Sequence, residues 1–243
     1  MLKLFLAMTI FLFLGCQKIF DRVLHGGHEK TDCRIVSVKQ HLGFSDELRT
    51  GLVYYNDHGD PDSVIFDIAT GSAGAHLFYF VYDEHHRLIE YREDYSRDPG
   101  DYYYKHNYVY DNGLIVIDST RIREAGSITE VRTLHYDHRQ RVIKEDRLWV
   151  EGDGEPMNEV LDPFVYDYND AGNLNGDQVA YDNKVNFMRT NWVWMFTQRN
   201  FSKNNPEGAI SYNEHNLPFG FEFEHGVNFL MFGGPAEIVY ECE

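Results

Sequence analysis

Four histidines, His58, His85, His138 and His215, recur in or beside short polar turns. Imidazoles at regular intervals could form a metal-binding or pH-sensing ladder. If each recurrence is a hairpin, however, equivalent turns lie two strand spacings apart, roughly 10 Å. Zinc ligands sit about 2 Å from their ion. That mismatch favours solvated turn histidines, with no metal assigned. His85-His86 lacks a further ligand at zinc spacing, and His25 and His28 read as part of a linker. A second candidate is the acidic run Glu151-Gly152-Asp153-Gly154-Glu155, followed by Glu159 and Asp162. An EF-hand needs Gly in the sixth place and Glu in the twelfth. Counted from Glu151, those places hold Pro156 and Asp162, so a solvated acidic loop is expected. The third is an aromatic run, Trp192-Val193-Trp194-Met195-Phe196, flanked by Asn191, Gln198 and Asn200. Tryptophan faces beside amides could stack a sugar ring, which makes Trp192, Trp194 and Asn191 the candidate ligand-binding residues. The same run also reads as an apolar plug packed on a sheet, and that reading is favoured. Residues 187–199 fit either a short helix or a strand by length. Carboxylates are plentiful, but nothing singles out the two that a glycosidase would hold about 5 to 9 Å apart. No nucleophile elbow, phosphate loop, zinc signature or dinucleotide fingerprint is present, so no catalytic residue and no cofactor is assigned.

The setting of these residues begins at the N-terminus. Lys3 precedes an apolar run from Leu4 to Leu14, and Gly15-Cys16 follows. A basic start, a short apolar core and a small residue at the cut site form a secretory signal, expected over residues 1–15. The run is short of the ~20 residues that span a bilayer. Gly15-Cys16 resembles the lipobox of bacterial lipoproteins, although Phe13 and Leu14 are bulkier than usual there. That resemblance implies that Cys16 is acylated and anchors the chain in a lipid bilayer, with residues 16–32 as a tether. Several acyl chains, at about 0.8 kcal/mol per buried CH₂, give a lasting anchor. Gln17 is not the inner-membrane retention signal of that family, which implies the outer membrane. With Cys16 lipidated, Cys33 and Cys242 remain. Disulfides persist in exported proteins, so a Cys33–Cys242 bond is expected, with two buried free thiols as the alternative. The chain of 243 residues carries a formal charge of −17, which argues against nucleic acid and against anionic headgroups as partners.

The rest of the chain is organised by repetition. Tyrosine followed by Asp or Asn occurs at Tyr55, Tyr82, Tyr110, Tyr136, Tyr168 and Tyr212. Asp and Asn initiate turns by bonding their own backbone. Gly113 and Gly172 supply the positive φ that tight hairpins need. Flanking segments such as Leu77–Tyr82 alternate and are rich in Tyr, Val, Ile and Phe, which suit a pleated surface. Looser turns, Ser96 to Gly100 and Glu124 to Ser127, lead from one unit to the next. The expected fold is all-β: an antiparallel meander of about a dozen strands from residue 33 to 243, in one domain. So many strands must curl or partly close, with a short helical or irregular aromatic insertion near 185–205.

These features resemble the YD (RHS-type) repeat, and more closely the YD-bearing domain of unknown function found in bacterial envelope lipoproteins. Tyr181-Asp182-Asn183-Lys184-Val185-Asn186-Phe187 resembles that family's Y-D-x-K-x-N-P-F segment without its proline. Ser202-Lys203-Asn204-Asn205-Pro206 resembles its S-K-N-N stretch. The resemblance implies a fold and an address but no activity. The expectation is a non-enzymatic binding or scaffold module of the cell envelope, periplasmic or surface-facing, whose partner is a glycan or an envelope protein. The alternatives are a glycan- or peptide-acting hydrolase with a carboxylate pair, and a toxin-associated or immunity protein.

Overall fold

The computed structural model describes residues 32–41, 48–67, 77–94, 102–123, 128–152, 155–175, 180–221, 229–230 and 235–242. The signal segment, Cys16 and the tether to residue 31 lie outside the described residues, as do most of the looser turns. Ten strands follow one another first: β1 Cys33–His41, β2 Leu48–Tyr55, β3 Pro61–Phe66, β4 Leu77–Tyr82, β5 Leu88–Asp94, β6 Tyr102–Asp111, β7 Leu114–Ile122, β8 Ile128–Tyr136, β9 Val142–Gly152 and β10 Glu155–Val165. Then come β11 Tyr181–Val185, a 3-10 turn Phe187–Thr190, the helix α1 Trp192–Thr197, and β12 Asn204–Pro206. The chain ends with β13 Ala209–Tyr212, β14 Pro218–Phe221 and β15 Pro235–Cys242. The aromatic insertion is therefore helical, not a strand.

β1 to β10 form an antiparallel meander, and β15, β14 and β13 extend it on the other side of β1. The resulting sheet has 13 strands and does not close, since β10 and β13 are its edges. β11 and β12 make a separate two-stranded sheet. The first and last strands lie side by side, with Cys33 opposite Cys242, and the two cysteines are joined as a disulfide.

The turns repeat one physical device. In four of the repeats the carboxylate or amide oxygen of the residue after the tyrosine accepts two backbone N–H groups, and Asn169 accepts one, from Asn173. Asn56 accepts from His58 and Asp60, Asp83 from His85 and Arg87, Asp137 from Arg139 and Arg141, and Asn213 from His215 and Leu217. Four residues after the tyrosine the backbone turns left-handed, at Gly59, His86, Gln140, Gly172 and Asn216. The Tyr110 copy differs. Asn112 and Gly113 both have positive φ, which closes a two-residue hairpin between β6 and β7.

Five tyrosines tie their strand to a backbone carbonyl on the preceding strand. The Tyr82 hydroxyl donates to the Pro61 carbonyl at 2.7 Å, Tyr110 to Leu88 at 3.1 Å and Tyr136 to Ile115 at 2.6 Å. Tyr55 does the same to Ile35, and Tyr240 to Pro218. Arg87 lies over the Tyr110 ring and Arg141 over the Tyr168 ring, so a basic residue after one turn covers the tyrosine of the next.

One face of the sheet is buried over its central strands, while the edge strand β10 has no buried residue. Val53, Val64, Phe78, Phe80, Tyr91 and Tyr108 point into it, and the insertion packs against them. Curvature follows from reach. Asn191 contacts Gly59, in the turn between β2 and β3, while Arg199 contacts Glu145 on β9. In a flat sheet those strands would lie roughly 30 Å apart at ~4.8 Å per step. Eight residues, mostly helical, cannot span that at ~1.5 Å per residue. The sheet therefore wraps around its own insertion. The small β11–β12 sheet bridges the gap between the edges: Asn204 binds Asn173, Lys203 binds Gly172, and Tyr212 donates to Asp182.

Candidate functional site

The insertion is assembled from local caps. Asn186 accepts from the Met188 N–H and starts the 3-10 turn. Asn191 accepts from the Val193 N–H at 2.9 Å and starts α1. Such caps satisfy helix N–H groups that otherwise have no partner. Val193, Trp194, Met195 and Phe196 are all buried. Trp194 packs edge-on against Phe80 of β4 and Phe229, with ring centres 5.4 and 5.5 Å apart. Phe196 packs edge-on against Tyr108 of β6.

This placement changes how the candidate sugar platform is understood. Trp194 has 0 % exposure, so neither of its faces is available to a sugar ring. Trp192 is half-buried against the core and tilted onto Phe196. Asn191 is occupied as a helix cap. Trp194 and Asn191 are thus engaged in packing and capping, while Trp192 stays partly exposed at the edge of the core. The motif stretches nearby have comparable roles. The Ser202 hydroxyl accepts from the Leu174 N–H at 3.0 Å, and the Asn186 amide donates to the Ser202 carbonyl.

Where α1 ends, a charged group enters the interior. Arg199 has φ +51°, and its guanidinium donates to Glu145 on β9, to Asp118 on β7 at 2.7 Å, and to the Phe196 carbonyl. Asp118 also meets His106 Nδ1 at 2.9 Å and the Thr120 hydroxyl at 3.1 Å. On β8 and β9, Glu130 is gripped by Arg132 and Arg147 at 3.0 and 2.6 Å. Asp118 and Glu145 are 1 % and 0 % exposed. Burial alone would push the Asp118 carboxyl up. His106, Arg199 and Arg132 outweigh it and hold the group well below the usual carboxylate range. Glu130 is likewise held down against its burial by Arg147 and Arg132. Glu93, on β5, goes the other way: burial raises its carboxyl, only partly countered by His106 and the Tyr91 hydroxyl. Nothing in the sequence pattern marked Arg199, Asp118 or Glu145, because they lie on separate elements far apart in the chain.

The remaining candidates are dispersed. Glu155, Glu159 and Asp162 belong to strand β10 rather than to a loop, so an extended backbone separates them. Asp153 and Gly154 lie outside the described residues. The turn histidines do approach one another in one place. His58 meets the tilted ring of His86 in the next turn, with ring centres 3.5 Å apart, closer than two strand spacings would allow. His85 is exposed and paired only loosely with Glu84.

The outer face of the sheet carries one continuous cross-strand row. Tyr54, Ser63, Tyr79, Arg92, Lys105 and Arg121 stand directly opposite one another from β2 to β7. Apart from Ser63, which is itself buried, they occupy the face opposite the buried core residues of the same strands. Tyr54 is 47 % exposed, and Arg121 is exposed. Arg92 lies over the Tyr79 ring, and Glu90 pairs with both Arg92 and Lys105. Three adjacent cations are unusual in a chain of net charge −17.

Fold and site together define a curled, open, antiparallel β-sheet protein with a helical plug. No protein-family model matches the chain, and no curated protein matches its sequence.

Proposed function

We propose that this chain is an envelope lipoprotein, anchored through acylated Cys16, whose β domain is a non-enzymatic binding module of the YD-repeat type. Its ligand is an anionic carbohydrate held on the outer face. The observation that carries this reading is the row Tyr54, Tyr79, Arg92, Lys105 and Arg121. The exposed Tyr54 ring suits a pyranose, and Lys105 and Arg121 suit carboxylate or sulfate groups, while Arg92 covers the Tyr79 ring and is engaged by Glu90 and Asp94. Strand spacing repeats at ~4.8 Å, close to the length of one sugar residue, so adjacent side chains can follow successive units of a linear glycan. The hydrolase reading draws less support, because Arg199 neutralises the most deeply buried carboxylates, Asp118 and Glu145.

Calorimetric titration with a soluble polyuronate and a neutral glucan tests the ligand. The polyuronate is expected to bind, the neutral chain not, and K105A/R121A to weaken binding at least tenfold. Equal binding of both polymers, or an unaffected double variant, would sink the idea. The anchor is tested separately by labelling with a palmitate analogue, which should mark the wild-type chain and not C16S.

A further inference from the structure

His215 lies in the turn between β13 and β14, held by the Asn213 side chain, which accepts the His215 backbone N–H at 3.0 Å. β14 pairs with β15, which ends at Cys242, and the Tyr240 hydroxyl binds the Pro218 carbonyl at the start of β14. This arrangement carries His215 to the disulfide. Its imidazole nitrogen and the sulfurs of Cys33 and Cys242 all lie within 4.8 Å of one another. Cys33 is buried, Cys242 half-buried and His215 exposed, so the group opens to solvent on one side.

We propose that Cys33, Cys242 and His215 form a reduction-gated site for a zinc-class divalent cation. In the oxidised protein the sulfurs are bonded to each other and offer no thiolate. A dithiol reductant attacks one sulfur, forms a mixed disulfide, then closes on itself. Two electrons and two protons pass to the cysteines, and the dithiol leaves as its own disulfide. The thiols then lose their protons to solvent as the metal enters. Two thiolates across a tetrahedral zinc stand about 3.8 Å apart, given Zn–S bonds of ~2.3 Å. The β1–β15 ladder keeps the two cysteines opposite each other on neighbouring strands after reduction. An imidazole as third ligand leaves the fourth position open to water, the pattern of reactive rather than purely structural zinc sites. Disulfide and metal exclude one another, so occupancy reports the redox state. The proposal is independent of any ligand on the outer face.

The test is a cadmium titration of the C16S chain, which removes the third cysteine, before and after reduction with a non-chelating phosphine. Circular dichroism checks that the reduced chain stays folded. Reduced protein is expected to bind one equivalent of cadmium, with the ultraviolet charge-transfer band of two thiolates. Oxidised protein should show no band. H215A, a change at an exposed turn, should keep the band but bind at least tenfold more weakly. Absence of the band in folded, reduced protein would overturn the site. An H215A titration indistinguishable from its parent would overturn the part assigned to His215.

Discussion

Arg199 donates to Glu145 from fifty-four positions later in the chain, and the pair is enclosed between the helical insertion and the sheet. The same guanidinium reaches Asp118, so one cation from the insertion holds two carboxylates on two strands. Removing it leaves two buried charges with too few partners. R199M is expected to cost about 3–5 kcal/mol of stability. R199K should recover little of that, because an ammonium cannot fork between two carboxylates. Urea unfolding at neutral pH measures both, and a loss below 1 kcal/mol for R199M would show that the latch is not structural.

The interior carboxylates predict opposite pH effects. Asp118 titrates lower when folded than when unfolded. Its stabilisation is therefore complete above the unfolded value near 3.9 and is lost as pH falls through the folded value. Glu93 titrates higher when folded. It weakens the fold as pH rises from the unfolded value through the folded one. E93Q should thus raise the urea midpoint at pH 7 and leave it nearly unchanged near pH 4. A midpoint difference of the same size at both pH values would contradict this.

The turn device can be tested within one chain. Asp137 accepts two backbone N–H groups and pairs with Arg141 at 2.7 Å, whereas Asp111 sits at the end of β6 beside a two-residue hairpin. D137A should cost about 1–2 kcal/mol, as for loss of a cap, and D111A close to nothing. Y136F, which frees the Ile115 carbonyl, should cost about 0.5–1.5 kcal/mol. Equal losses at the two aspartates would mean that the residue type, not its geometry, matters.

The tryptophans also separate. W194A opens a cavity at a site with 0 % exposure and should cost about 3–5 kcal/mol. W192A, at the half-buried position, should cost clearly less. If the outer-face row is the binding site, polyuronate affinity should be unchanged in W192A. A loss of binding there would return the insertion to consideration as a ligand platform.

Much of the fold is local and so was legible in the residues. Asp and Asn after tyrosine make turns by bonding N–H groups two and four residues on. Alternating Tyr, Val, Ile and Phe fix strands with two unlike faces. Cys33 and Cys242 pair because the chain ends meet as neighbouring strands. A short helical or irregular insertion was expected near 185–205, but that residues 192–197 in particular form its helix was not legible, since a short apolar run suits either helix or strand until its partner is known. Nor was the role of the tyrosines, whose hydroxyls reach carbonyls some twenty residues back, a distance set by strand pairing. The sequence by itself determined the turns, the strands and their order along the chain. Tertiary structure alone decided that the sheet wraps its insertion, that Arg199 meets Asp118 and Glu145, and that His215 reaches the disulfide. The physical reason is range. Turn and strand preferences act over a few residues, while buried charges and ligand clusters exist only once curvature brings distant strands together.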